Sequence, residues 1–476
     1  MLKILMGAIL PFGIFDRQKR AEKGQNLEAK GIRICDAIMG SGKTEAAIKW
    51  MNDSPDETKF VFVTPYLSEV ERIKTSCQRK DFKEPARKKQ RKLFGLKDLL
   101  AAGENIATTH NLFGTLDADA LQLVRKNHYH LVLDECIYET GLKMTGGIEF
   151  CEEDFDICLR AGLIDIDEDG EVKWVEKDYN GRMYSFMKSA LSGDPMIYNE
   201  GYFYRKLSGE EYTSFESVTL LTYLFPFQMQ RALFDIMGLD YSFIGVEKTS
   251  AGYVFTDEIV DPPYAAEIID HIHIIDDERM NSIGEDENAL CVSWYERKRK
   301  TNGLLKQIGN NIRWAATQEG AKCSDAMWTV FKESVDKIDT HGYKSGFVPC
   351  NARASNEYCD RWFVAYCVNI FLNPAVKRYF ESRHCYLDSE GYALSEMVQW
   401  VWRSAVRSGR DITLYVPSSR MRRILKEWLE NLKDGGHGRE FAGRKKWKNQ
   451  YNKGRPVPAR KSVTLDEGQV SEQSEV

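Results

Sequence analysis

The sequence predicts an α/β protein whose strands run parallel and are joined by crossover helices. Three observations carry this expectation. Short apolar runs alternate with helical patterns from residue 32 to residue 135. A glycine-rich turn, Ala37-Ile38-Met39-Gly40-Ser41-Gly42-Lys43-Thr44, stands between one apolar run, residues 32–35, and one helical pattern, residues 45–50. A later apolar run, residues 130–133, ends in two carboxylates, Asp134 and Glu135.

Strand, glycine-rich turn, Lys-Thr and helix together form the context of a phosphate-binding loop. Glycines let backbone N–H groups curl around phosphate oxygens, and the helix N-terminus adds partial positive charge. Gly40, Ser41, Gly42, Lys43 and Thr44 are therefore the expected ATP-binding residues. Lys43 is expected on the β- and γ-phosphates and the Thr44 hydroxyl on Mg²⁺. The strict pattern opens on glycine where this chain has Ala37, outside the tight part of the turn. ATP and Mg²⁺ are the expected cofactors. Asp134 is expected to hold the metal shell and Glu135 to polarise the attacking water.

Composition narrows the class. The 476 residues are enough for two or three domains, and the net charge is −5, so contact with nucleic acid has to come from local basic patches. Eleven cysteines are scattered without a C-x-x-C pair, which argues against zinc ribbons and for a reduced, cytoplasmic chain. The apolar stretch at residues 4–15 is too short to span a bilayer and lacks a cleavage signature; it reads as a buried helix or strand. No membrane association is expected.

The remaining first-half elements follow in order. Residues 59–65 read as a strand ending in Thr64-Pro65, with a helix from residue 67 to 73. Residues 79–92 are dense in Lys and Arg, which suits either a solvated helix face or a patch for backbone phosphates. Residues 103–110 read as a strand ending in Thr108 and Thr109. Such hydroxyls face the ligand crevice of an open sheet or cap a following helix. From residue 149 to about 213 the alternation breaks into an acidic, aromatic segment with a hairpin at residues 164–175. Residues 217–224 resume as a strand carrying Thr222.

The order of these pieces resembles the first motor domain of a superfamily 2 helicase of the DEAD/DEAH-box class. A-I-M-G-S-G-K-T matches motif I, F-V-T-P motif Ia, I-A-T-T-H the threonine motif, and D-E-C-I motif II, with Cys136-Ile137 at its variable end. Thr222 occupies the place of the coupling motif III. In the second half, N-A-R-A-S-N-E-Y at residues 351–358 is similar to motif V, with a strand before it and a helical pattern running to residue 371. Residues 328–331 sit where the motif IV strand belongs. The segment at residues 393–407 resembles motif VI, with Trp402 in place of glycine and its last arginine one position late. On one continuous helix, Gln399, Arg403 and Arg407 share a face at i, i+4 and i+8. Arg407 is then the expected finger on the γ-phosphate, with Arg403 second.

The resemblance implies two tandem RecA-like P-loop domains: residues 1–225 with the 149–213 insertion, a 226–266 linker, and residues 267–433; the low apolar content of residues 434–476 reads as a charged, disordered tail. It implies nucleic-acid contacts at Thr64, Pro65, Thr108, Thr109, Arg353, Ser355 and Asn356. The wording of the second half looks like that of compact phage- and prophage-encoded helicase-like proteins, which favours DNA over RNA. The expected activity is an ATP-dependent helicase or translocase, with a site for a protein partner at the insertion. A terminase-like DNA-packaging ATPase and an ATPase switch that does not unwind stand as alternatives.

Overall fold

The computed structural model describes residues 31–87, 92–137, 152–166, 171–176, 178–184, 187, 196–199, 202–205, 209–257, 264–299, 303–351 and 357–434. Strands β1 (Gly31–Asp36), β2 (Lys59–Thr64), β3 (Ile106–Thr109) and β4 (Tyr129–Asp134) come first. Strands β5 (Ile164–Ile166), β6 (Glu171–Trp174), β7 (Met196–Asn199) and β8 (Tyr202–Arg205) follow. Then come β9 (Ser217–Thr222), β10 (Tyr241–Thr249) and β11 (Gly252–Thr256), and finally β12 (Ile272–Ile274), β13 (Ala326–Thr329), β14 (Phe363–Tyr366) and β15 (Ile412–Tyr415).

The first sheet has the order β11-β10-β1-β9-β4-β2-β3 and is parallel except at its β10–β11 edge. Its strands are near-continuous apolar runs because both faces are covered. Alternation along β2 divides the side chains between two cores. Val61 and Val63 join Leu131, Leu133, Val218 and Leu220 on one face; Phe60 and Phe62 join Val132, Leu221, Ala46 and Met51 on the other. The helix Lys43–Asp53 buries Ala46, Ala47 and Met51 against that second face. Each fully buried Phe or Val there contributes about 1.5–3 kcal/mol.

The second sheet, β12-β15-β14-β13, is parallel throughout. Val364 and Tyr366 of β14 face a core shared with the helices Ser389–Val401 and Ser419–Lys433, while Phe363 and Ala365 face the helix Gly303–Gln318. The architecture is the expected α/β one: two tandem RecA-like units with parallel sheets, the first interrupted by inserted residues. The inserted residues form their own antiparallel sheet, β5-β6-β7-β8, over a small core of Cys158, Ile164, Val172, Trp174, Met183 and Met187. The expected hairpin is there, with Ile164 opposite Trp174.

Three expectations need correction. Residues 226–266 are not a linker: they hold the helix Met229–Met237 and the β10–β11 hairpin, and β10 pairs with β1 from Ile32↔Tyr241 to Cys35↔Ile244. No helix continues through residues 357–371, because Phe363–Tyr366 is an interior strand. A short apolar run buried on both faces has no periodicity that separates the two states. The described part of the basic stretch, residues 79–87, is no helix face, and Lys92 opens the helix Lys92–Ala102. Arg79 pairs with Asp56, Lys83 with Glu104 and Lys92 with Glu84, while Lys80 donates to the carbonyls of Pro55 and Thr58. Residues 4–15 and 435–476 lie outside the described residues. Among the described residues no helix is long and apolar enough to cross a membrane.

The two units share a core. Ile38, Tyr223, Leu224 and Phe227 of the first pack with Met397, Trp400 and Trp428 of the second. Contact is close at Gly391, where any Cβ would lie 2.3 Å from the Phe227 ring.

Candidate functional site

The register of the first sheet brings five strand ends to one edge. Asp36 lies opposite Thr222, Asp134 opposite Leu221, and Thr64 opposite Thr109. In a parallel sheet this carboxyl edge is where the connections leave room for a ligand. The loop of residues 37–42 leaves β1 there. It is pinned at its start by Ala37 N donating to Thr222 O at 3.1 Å and folded back by Ser41 N donating to Ile38 O at 3.2 Å. Gly40 and Gly42 have φ of 83° and 87°, the left-handed region that glycine enters without cost. Lys43 curls its ammonium into this loop, donating to the carbonyls of Ala37 at 2.6 Å and Ile38 at 3.2 Å. The Ser41 hydroxyl is buried without a hydrogen-bond partner.

The carboxylates stand beside the loop. Asp134 accepts from the Thr64 hydroxyl at 3.2 Å, and its carbonyl meets His110 Nε2 at 2.8 Å. Burial pushes the Asp134 carboxyl up to about 7; the charges of Glu135 and Glu69 add to the rise, and Thr64 and Lys43 oppose it. Glu135 has φ of 64°, an unusual conformation for a side chain of its size, and its Oε2 is buried without a partner. Its N–H donates to Leu221 O at 2.9 Å.

These features fit a magnesium–nucleotide complex. Two glycines open the turn, one lysine sits on carbonyls that a phosphate would replace, and an orphaned hydroxyl and an orphaned carboxylate oxygen flank it. No group of three or more His, Cys, Asp or Glu among the described residues could hold a metal alone.

Several site residues emerge only from the structure. Tyr253 of β11 lies against Gly42, so that a Cβ there would come within 2.2 Å of its ring. Gly42→Ala is therefore expected to cost roughly 2–4 kcal/mol of stability, from left-handed strain plus the clash. A melting curve checks this, and Tyr253→Ala in the same chain is expected to return most of the loss. Gln228 is fully buried, accepting from the Thr222 hydroxyl at 3.1 Å and donating to Tyr223 O at 2.7 Å. Gln230 accepts from Ile137 N at 2.9 Å. Two glutamines inside the apolar stretch 220–234 were the available sequence signal, since buried polar side chains occur where they have partners. Asp36 accepts from Leu224 N at 2.7 Å and holds the turn after β9.

The expected nucleic-acid residues divide. Thr64 is fully buried and committed to Asp134, and Thr108 is buried as well, so neither can touch a bound strand. Pro65 and Thr109 are half-buried; Thr109 begins the short helix His110–Phe113 without a side-chain cap. Arg353, Ser355 and Asn356 lie outside the described residues. The arginine segment also departs from its expected form. The helix Ser389–Val401 ends before Arg403, and residues 405–408 form a separate short turn, so Gln399, Arg403 and Arg407 do not share a face. The Ser404 hydroxyl, bonded to Val401 O at 2.6 Å, helps stop the helix, and Trp400 and Trp402 are drawn into the core. Arg403 is left 5% exposed, whereas Arg407 is exposed. The charge of Arg403 acts on the Tyr358 phenol, as does Tyr66 of the first unit, which places Arg403 near the face between the units.

Comparison with known proteins bears on identity. The model for the YonV C-terminal Rossmann-like domain matches residues 266–429. Along most of its length the chain is similar to the SPbeta prophage-derived uncharacterized protein YonV of Bacillus subtilis (strain 168), at 34% identity over 414 residues, covering 84% of this chain and 99% of that protein. Among solved structures, Xpd4 of S. tokodaii superposes with a TM-score of 0.42 at 12% identity, over 89% of this chain and 96% of the other. The prophage origin of the relative agrees with the phage-like wording of the second half. With a third of the aligned residues identical along essentially the whole of that relative, the chain belongs to the YonV family.

Proposed function

We propose that this protein is an ATP hydrolase of the superfamily 2 helicase type, which couples hydrolysis between its two units to movement on nucleic acid, DNA in preference to RNA. The observation that carries the reading is the convergence on one sheet edge of the Lys43 loop and the Asp134–Glu135 pair. ATP would lie with its phosphates in the turn from Gly40 to Thr44, and Lys43 would exchange two carbonyls for phosphate oxygens. Mg²⁺, held by Thr44 and Asp134, supplies charge neutralisation on the β- and γ-phosphates when bound. Glu135 orients the water whose oxygen attacks the γ-phosphorus as the bond to the bridging oxygen breaks, and it takes up the proton released. Arg403 is the better-placed finger of the second unit, and Arg407 drops to second. Burial near the face between the units, with the water excluded, strengthens its charge toward a γ-phosphate.

A packaging motor would need several carboxylates free at the strand ends of its second unit, whereas Asp276 and Asp277 after β12 are engaged by Lys426 and by the helix cap at Met280 N, and β13 to β15 end in Thr329, Tyr366 and Tyr415. The test is ATP hydrolysis by the purified chain with and without single-stranded DNA and RNA, beside Lys43→Ala. Hydrolysis stimulated by DNA and reduced roughly 10²–10³-fold in Lys43→Ala is the expected result. Hydrolysis indifferent to both nucleic acids would overturn the motor and leave an ATPase switch.

A further inference from the structure

A motor needs hydrolysis at the first unit to be felt by the second. We infer that the helix Met229–Met237 is the element that carries it, with Gln230 as a positioning residue for the carboxylate turn and Arg231 as the anchor on the second unit. The inference rests on the ATPase reading above and goes beyond it, since nothing in the recognised motifs includes this helix.

The carboxylate turn is tied down residue by residue. Glu135 N donates to Leu221 O at 2.9 Å. Cys136 Sγ donates to the Thr222 hydroxyl at 3.6 Å, and that hydroxyl donates to Gln228. Ile137 N donates to Gln230 Oε1 at 2.9 Å. The amide of Gln230 is satisfied at its other end, where Nε2 donates to the Tyr212 hydroxyl at 3.1 Å. Only 1% of this side chain is exposed. A buried amide used at both ends has one orientation, so the backbone two residues beyond Glu135 follows the helix that carries it. Glu135 is itself in the left-handed region, a conformation that persists only when the surroundings hold it.

The next residue points at the other unit, since consecutive helix positions are turned by about 100°. Arg231 Nη2 donates to Tyr386 O at 2.7 Å, and Nη1 pairs with Asp235 at 2.6 Å. Cys385 Sγ donates to Ala232 O at 3.5 Å, and Ala232 and Leu233 pack with Leu372, Phe380 and Leu387. One rigid helix thus holds the hydrolytic turn with one residue and the second unit with the next. A shift of the second unit on nucleic acid moves the helix, and the helix moves the Glu135 turn.

The test compares ATP turnover of the full chain with and without single-stranded DNA, at saturating and limiting ATP. Gln230→Met keeps the volume but cannot accept from Ile137 N. It is expected to lower kcat roughly 10–100-fold at unchanged KM for ATP, as displacement of a reacting group does. Gln230→Glu, which restores the acceptor, is expected to recover part of that loss. Arg231→Met is expected to leave basal turnover within about twofold and to abolish stimulation by DNA, and Arg231→Lys to restore it in part. A Gln230→Met chain with wild-type kcat, or an Arg231→Met chain stimulated as fully as the wild type, overturns the inference while the ATPase reading stands. If Gln230→Met fails to bind a fluorescent ATP analogue, the Arg231 pair decides alone. A wild-type chain that hydrolyses nothing removes both readings together.

Discussion

Asp134→Asn is expected to make the ligand-free protein more stable at pH 8 and to lower its ATP turnover roughly 10²–10³-fold. Burial holds the Asp134 carboxyl at about 7, far above its ordinary 3.8. The sign follows from the two states. Below pH 4 the carboxyl is protonated in both the folded and the unfolded chain and costs the fold nothing. As pH rises toward 7 the unfolded chain gives up its proton first, and the wild type loses stability across that window. Above 7 the loss is complete, at roughly 2–4 kcal/mol. Asparagine carries no such penalty, so the two melting temperatures should converge near pH 4 and separate above it. A variant no more stable than the wild type at pH 8 would show that the carboxylate is already paired. On the proposed function, binding of Mg²⁺·ATP is expected to reverse the logic: a cation at Asp134 would favour the ionised form, so binding below pH 7 would release a proton. Calorimetry in two buffers of different ionisation enthalpy reads that proton directly.

The cost at Asp134 also explains why this end of the chain was legible in the sequence. Two carboxylates at the end of an apolar strand are costly for the fold, and a reader can ask what use recovers the cost. The same holds for Gly40, Gly42 and Lys43, where a turn that needs glycine runs into a helix. Strands β1 to β4 and β9 were readable because each apolar run is bounded by polar punctuation. The rest was hidden for physical reasons. In β14 every residue is buried, so its pattern says apolar and nothing more. The pairing of β10 with β1 joins residues about two hundred positions apart, and no local signal specifies it. The spacing of Gln399, Arg403 and Arg407 assumed an unbroken helix, but a serine hydroxyl and two core-seeking tryptophans end it at Val401. The burial of Thr64 and Thr108 depends on which neighbours the sheet gives them. Gln230 was in plain view, yet its value lies wholly in reaching Ile137, which is 93 positions away.

Glu135→Gln is expected to leave ATP affinity within a few-fold of the wild type and to lower turnover roughly 10²–10⁴-fold, the loss of a general base. The side chain keeps its shape, and the Leu221 and Ile137 bonds that hold the turn come from the backbone and are untouched. The separation of binding from turnover is the diagnostic: a variant that loses both in proportion would mean that Glu135 holds the nucleotide rather than the water. Glu135→Gly adds a second reading. It removes a side chain from the left-handed region, worth about 1–2 kcal/mol, and an orphaned carboxylate oxygen, worth about 1 kcal/mol or more. Against this stands the larger entropy of glycine in the unfolded chain, about 0.5–1 kcal/mol. The balance is a net gain of about 1–2.5 kcal/mol in a protein that no longer turns over. Strain and an unsatisfied oxygen at one residue, next to a carboxylate kept out of water, are what a site pre-formed for a charged ligand costs its fold. Equal melting temperatures for Glu135→Gly and the wild type would place that cost elsewhere.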